Sequence, residues 1–173
     1  MNELHRMRDD LKRTTSISEL MGIEGVMRKI YYGLIDHVME ERAPDFVMDT
    51  RVRRPPNNKM NALISFVNSL VYATALNQIF RTHLHPAISF LHEPQDRRYS
   101  LSLDLSEVFK PLLADRLIFR LIHLKMLNDR AFEESEGICY LSDKGRQKVL
   151  EVYHERLNTT IHHRGLGRKV SYE

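Results

Sequence analysis

At 173 residues with 42% hydrophobic side chains, the chain can bury a core of its own and is sized for one domain. A formal net charge of +3 permits an anionic partner such as nucleic acid without requiring one. A single cysteine, Cys139, excludes an internal disulfide and suits a reducing cytoplasm, and the polar N-terminal stretch has no apolar run of the secretory kind.

Residues 1–15 read as an incoming helix or linker. Ser16 or Ser18 then caps a helix to about Glu41, whose apolar face is Leu20, Ile23, Met27, Ile30, Tyr31, Leu34 and Val38 at a 3.6-residue period. Gly22 and Gly25 each cost that helix about 1 kcal/mol relative to alanine. Their presence predicts close approach of another backbone or a ligand, with Glu24 between them. Taken alone, Glu24 reads as a surface or ion-pair residue.

Residues 44–59 form a connector with Pro55-Pro56 and Asn57-Asn58 as turn chemistry, and with Arg51, Arg53, Arg54 and Lys59 as a basic cluster. The next helix, about Lys59 to Arg81, carries no formal charge between residues 60 and 80 and is long enough to span a bilayer. Asn61, Ser65, Asn68, Ser69 and Tyr72 nevertheless recur on one face, which predicts a buried helix of a soluble domain with something polar opposite it. No membrane association is expected. His83 and His85 follow in a short loop and turn of helix; their spacing suits a metal, but no nearby acid completes a set.

The stretch PAISFLHEPQDRRYSLSLDLSEVFKP, residues 86–111, sets a histidine, carboxylates and a lysine into apolar sequence. With Ser100 or Ser102 as cap, Asp104, Glu107 and Lys110 lie along one side of a helix and Leu101, Leu105, Val108, Phe109 and Leu112 along the other. A buried carboxylate needs a cation, a metal or hydrogen-bond donors to offset its desolvation. Lys110 or a divalent ion would serve, and His92, beyond a turn at Pro94, can approach the same face. Arg97 and Arg98 add charge beside it. The helical pattern continues to about Asn128, interrupted at Pro111. A two-stranded excursion around Glu136-Gly137 follows. Ser142 then caps a last helix from Asp143 to about His162, ended by Gly165 and Gly167. His162-His163 read as a solvated helix end, beside the basic residues Arg164, Arg168 and Lys169. With so little strand signal, the expected fold class is all-α, a single helical domain built as a multi-helix bundle.

One imidazole with two or three carboxylates suits Mg²⁺ or Mn²⁺, the nitrogen favouring Mn²⁺, and such centres perform phosphodiester chemistry. The plainer readings are His92 as a turn residue, Tyr72 as a core residue, and Asp104 and Glu107 as partners of Lys110 and nearby arginines.

Four segments in order, GIEGVMRKIYY (22–32), RPPNNKMNALISFVNSLVY (54–72), HPAISFLHEP (85–94) and SLSLDLSEVFKPLLADRLI (100–118), together with the tail from Gly137 onward, closely resemble the CRISPR-associated integrase family, the first-numbered Cas protein of spacer acquisition. The resemblance covers nearly the whole chain. It implies the family's C-terminal helical catalytic domain across residues 1–173, without the N-terminal β-rich domain and with the tail truncated over 165–173. It also implies a metal-dependent DNA endonuclease and integrase of antiviral defence, joining short foreign DNA to the CRISPR array by transesterification. Carried over residue by residue, Glu24, His92 and Glu107 would be the Mg²⁺ or Mn²⁺ ligands. Asp104 would be a further acid, Lys110 a base near the scissile phosphate, and Tyr72 an active-site tyrosine; Asn61 and Ser65 fall in the family's asparagine and serine motif. Arg53, Arg54, Lys59, Arg97 and Arg98 are the expected DNA contacts. The implied partners are double-stranded DNA as protospacer and CRISPR repeat, a second copy of the chain, and the small second-numbered Cas protein. The other reading the residues leave is a DNA-binding or assembly fragment without turnover.

Overall fold

The structure is a computed structural model and describes residues 2–92 and 99–172. Residues 1–51 form one compact unit and residues 52–173 a second.

In the first unit, α1 (Asn2–Arg13) leads into α2 (Ile17–Arg42). Ser16 is the N-cap, its hydroxyl accepting from the Glu19 N–H at 3.2 Å, while the Glu19 carboxylate accepts from the Thr15 N–H at 3.1 Å. One of the donors orphaned at a helix start, the Glu19 N–H, is thereby satisfied, and the residue before the cap is tied to the first turn. After α2 the chain turns at Pro44–Phe46, and Asp36 Oδ1 accepts from the Met48 N–H at 2.7 Å, folding the connector back along the helix. The buried residues of this unit are Met7 on α1, Ile35 and Met39 on α2, and Met48 in the connector. Met27, Tyr31, Leu34 and Val38, expected on the buried face, are exposed. None of the seven stripe residues is buried; the enclosed positions of α2 are Ile35 and Met39, beside the stripe. Nor does any described atom lie within 4 Å of where a Cβ on Gly22 or Gly25 would stand, so no backbone approaches there.

The second unit is organised on α3 (Lys59–Ile79), the uncharged helix. It is long and apolar enough to cross a membrane by length and composition. Met60, Leu63, Ile64, Val67, Val71 and Ile79 are nevertheless buried within the unit, where α3 packs on α4 (Ser100–Lys110) and on the strand Ile138–Leu141. The core, expected helix and packed neighbours thus agree. Ser100 and Ser102 do not cap α4: Tyr99 precedes it with no side-chain cap, and Ser102 lies fully buried with its hydroxyl donating to the Tyr72 carbonyl at 2.8 Å. The buried side of α4 is small and polar, formed by Ser102, Asp104 and Ser106 with Leu101, whereas Val108 and Phe109 are exposed. Small side chains let α4 lie close to α3, which is why the expected apolar face is not the buried one.

At Pro111–Asp115 the helix widens into a π-type turn and resumes as α5 (Arg116–His123). The break expected at Pro111 is therefore present. The end is earlier than Asn128, because Lys125 adopts φ 49° and the N–H groups of Lys125 and Met126 bond back to the Ile122 and Leu121 carbonyls. That closure normally calls for glycine, which concealed it in the sequence. Strands β1 (Phe132–Ser135) and β2 (Ile138–Leu141) pair antiparallel, Phe132 opposite Leu141, around a turn at Glu136-Gly137 where both residues have positive φ, as a two-residue hairpin requires. Ser142 caps α6 (Asp143–Leu157), its hydroxyl accepting from the Gly145 N–H. α6 stops short of His162. Past the β-branched run Thr159-Thr160-Ile161 the chain forms a second antiparallel pair, β3 (Ile161–His163) with β4 (Arg168–Val170), in place of the expected helix end.

Candidate active site

The site is built on α4. Asp104 projects from its buried side with a side chain fully enclosed, and its carboxylate is completely used. Oδ2 accepts from the N–H groups of Phe90 and Leu91 at 2.9 and 3.0 Å; Oδ1 accepts from the His92 N–H at 3.1 Å and meets His92 Nδ1 at 2.7 Å. Burial pushes the Asp104 carboxyl up, but the His92 ring and the three backbone donors more than offset it and hold the group below its ordinary 3.8. Desolvation is thus answered by hydrogen-bond donors, not by Lys110. Ser89 donates through its hydroxyl to the His92 carbonyl, closing the loop on itself.

An ionised carboxylate only accepts, so Nδ1 carries the ring proton. In the neutral imidazole Nε2 then carries the lone pair, and it meets no hydrogen-bond partner among the described residues. A carboxylate behind a histidine is how proteins fix the tautomer and aim of a metal-binding imidazole. His92, 24% exposed at its side chain, suits that role. Glu107 follows Asp104 by one turn and pairs with Lys110 Nζ at 2.5 Å. Both are mostly enclosed, at 25% and 21% exposure. Tyr72, on α3, is half-buried and is tied to α4 through its carbonyl bond from Ser102.

Glu24 belongs to the first unit, where it pairs with Arg28 one turn along α2. Among the described residues no cluster of three or more His, Cys, Asp or Glu side chains is arranged to hold a metal. Glu24 and Glu107 each bond a cation of their own helix instead.

The expected polar stripe divides. Asn61 is completely buried and acts as a clamp: Oδ1 accepts from the Val52 N–H at 3.1 Å and Nδ2 donates to Asn57 Oδ1 at 2.8 Å, pinning the connector to the start of α3. Ser69 is exposed and donates to its own helix at the Phe66 carbonyl. Ser65 lines a groove of about 680 Å³ with Arg53, Arg54, Phe66, Tyr140 and Arg146. Lys59 is less available, bonding Asp129 at 2.8 Å with its side chain 18% exposed. Arg97 and Arg98, with the turn at Pro94, lie outside the described residues. His83 and His85 are exposed loop residues, His85 accepting from the Ala87 N–H.

The family model for CRISPR associated protein Cas1 matches residues 1–155. The chain belongs to the Cas1 family. It is 52% identical to CRISPR-associated endonuclease Cas1 3 of Thermodesulfovibrio yellowstonii over 92% of its own length and 48% of that relative's. It is 44% identical to CRISPR-associated protein Cas1 1 of Methanobrevibacter ruminantium, over 99% of this chain and 52% of the other. The chain thus spans about half the length of the curated relatives it matches. Among solved structures, a Cas1 protein from Thermotoga maritima superposes with a TM-score of 0.84 at 41% identity, over 90% of this chain and 50% of the other. A casposase bound to its integration product shares the fold, with a TM-score of 0.81 at 22% identity over 94% and 48%. These Cas1 relatives bear out the helical fold and the family expected from the sequence.

Proposed function

We propose that this chain carries the catalytic lobe of a metal-dependent DNA endonuclease and integrase of CRISPR adaptation. The observation that carries the reading is the His92–Asp104 pair, which holds the imidazole through Nδ1 and leaves Nε2 as its other ring nitrogen, with Glu107 one helical turn beyond Asp104. The metal would be Mg²⁺ or Mn²⁺, held by His92 Nε2, Glu107 and Glu24, and when bound it would polarise a phosphoryl oxygen and lower the pKa of the attacking water or 3′-hydroxyl. Asp104 is then a positioning residue. Lys110, released from Glu107, would neutralise a phosphate oxygen, and Tyr72 would stand beside the reacting strand. The substrates would be double-stranded DNA, protospacer and repeat. Several relatives are named as endonucleases, and solved neighbours include a complex containing Cas1 and Cas2, which supports the second-numbered Cas protein as partner.

The test is thermal unfolding with and without excess Mn²⁺ for the wild type and for Glu24→Ala, His92→Ala and Glu107→Ala. Metal at about a hundred times its dissociation constant stabilises a folded state by roughly 2.7 kcal/mol. An upward shift in the wild type, lost in all three variants, supports the centre and warrants strand-transfer assays with the second-numbered Cas protein. No shift, or an equal shift in the variants, leaves a DNA-binding module without turnover, the reading favoured by the Glu24–Arg28 and Glu107–Lys110 pairs.

A further inference from the structure

The β3–β4 ribbon plays no part in the centre described above. Its registered pairs set His162 opposite Lys169 and His163 opposite Arg168, and Arg164 opens its turn. Residues 158–172 contain no acid, and every residue from Ile161 to Lys169 is exposed. Facing side chains in an antiparallel pair share a face and successive residues alternate, so His162 with Lys169 occupies one face and His163 with Arg168 the other. His163 Nδ1 accepts from the Leu166 N–H at 3.2 Å, so its ring proton sits on Nε2. The base of the ribbon is anchored: the Tyr172 N–H donates to the Leu157 carbonyl at 3.0 Å, and the Arg156 guanidinium stacks 4.9 Å from the Tyr172 ring.

A short two-stranded ribbon is barely stable alone, and no acid within residues 158–172 neutralises Arg164, Arg168 and Lys169. With Lys169 on one face and Arg168 on the other, anions on both sides would stabilise it. A flat anionic surface such as a membrane would call for cations on one face. A DNA groove has two phosphate walls, and the major groove, about 12 Å wide, admits a two-stranded ribbon. We propose that the β3–β4 ribbon enters a groove of duplex DNA and contacts phosphates on both walls through Arg164, Arg168 and Lys169. This rests on the reading of the chain as acting on DNA and adds a contact surface outside the metal centre.

The experiment is fluorescence anisotropy of a labelled 20-base-pair duplex in EDTA over a series of salt concentrations. The proteins are the wild type, the triple variant Arg164→Ala/Arg168→Ala/Lys169→Ala, and the charge-keeping double variant Arg164→Lys/Arg168→Lys. Each phosphate contact contributes about 0.9 to the slope of log affinity against log salt, so the triple variant should lose about 2.7 in slope and bind at least tenfold more weakly. The lysine variant should bind as the wild type does, and the triple variant should keep its melting temperature and any Mn²⁺ response. Wild-type affinity and slope in the triple variant would overturn the proposal, as would binding to phosphatidylserine vesicles without binding to duplex. Ribbon-dependent DNA binding without a Mn²⁺ response would instead defeat the metal centre and leave the ribbon standing.

Discussion

Asp104 and His92 meet at 2.7 Å, and the same carboxylate also receives the N–H groups of residues 90, 91 and 92. One enclosed side chain therefore shapes the loop and aims the imidazole at its end. Substituting Asp104→Asn replaces an acceptor oxygen by a donor amide among four donors. We expect a loss of about 1–3 kcal/mol in denaturant unfolding at pH 7. The sign with pH follows from the lowered carboxyl. Its contribution is fully present above the ordinary carboxylate range, about pH 5, and is lost as pH falls through the lower folded value. The gap between wild type and Asp104→Asn should narrow on going from pH 7 to pH 3. A gap of constant size would show that the carboxylate's charge is not what matters.

Cys139 is buried and donates to Glu134 Oε1 at 3.9 Å. Burial, then the nearby Glu134 charge, pushes its thiol up to about 11. At pH 8 the thiolate fraction in the folded chain is about one in a thousand, against roughly a quarter for an unperturbed cysteine. Alkylation by iodoacetamide at pH 8 should therefore be roughly two hundredfold slower in buffer than in denaturant. Equal rates would mean that the β1–β2 hairpin does not shield the thiol.

What was legible in the sequence was local. Ser16 and Ser142 announced two helix starts because a capping hydroxyl acts on a backbone three residues away. The turn at Glu136-Gly137 declared itself in the same way. The word LDLSEVFK was enough to place Asp104, Glu107 and Lys110 on one helix. What the spacing could not show was which partner each group takes. Asp104 bonds a loop twelve to fourteen residues upstream, and Asn61 reaches back nine residues to Val52. Both pairings depend on tertiary closure. The closure of α5 at Lys125 was hidden because a lysine occupies a backbone conformation that usually advertises itself with glycine. The β3–β4 ribbon was hidden because its residues carry no alternation of apolar and polar side chains.

Ser102 sits fully buried on α4, bonded to the Tyr72 carbonyl. Ser102→Ala removes that bond and should cost about 1 kcal/mol. Ser102→Leu must instead separate α3 from α4, at about 1–3 kcal/mol or more. Because His92 hangs from α4 through Asp104, the leucine variant should also weaken any Mn²⁺-induced stabilisation, which the alanine variant should keep. Urea unfolding with and without Mn²⁺ separates the two. If both variants lose the metal response equally, helix spacing is not what sets the site.

Gly145 lies in the first turn of α6, where a Cβ would stand 2.2 Å from the Ala131 carbonyl oxygen and 3.1 Å from a Leu141 methyl. The first of these is backbone, and it already accepts from the Ser142 N–H at 3.0 Å, so it cannot retreat without breaking that bond at the start of α6. Gly145→Ala, ordinarily favourable in a helix by about 1 kcal/mol, should here destabilise by 1–3 kcal/mol or more, as overpacking against a fixed group does. Gly22→Ala, with no described atom within 4 Å of the new methyl, is the internal control and should stabilise α2. A melting series on both variants decides the matter: opposite signs support the contact at Ala131, whereas stabilisation by both would mean that α6 does not press on that carbonyl.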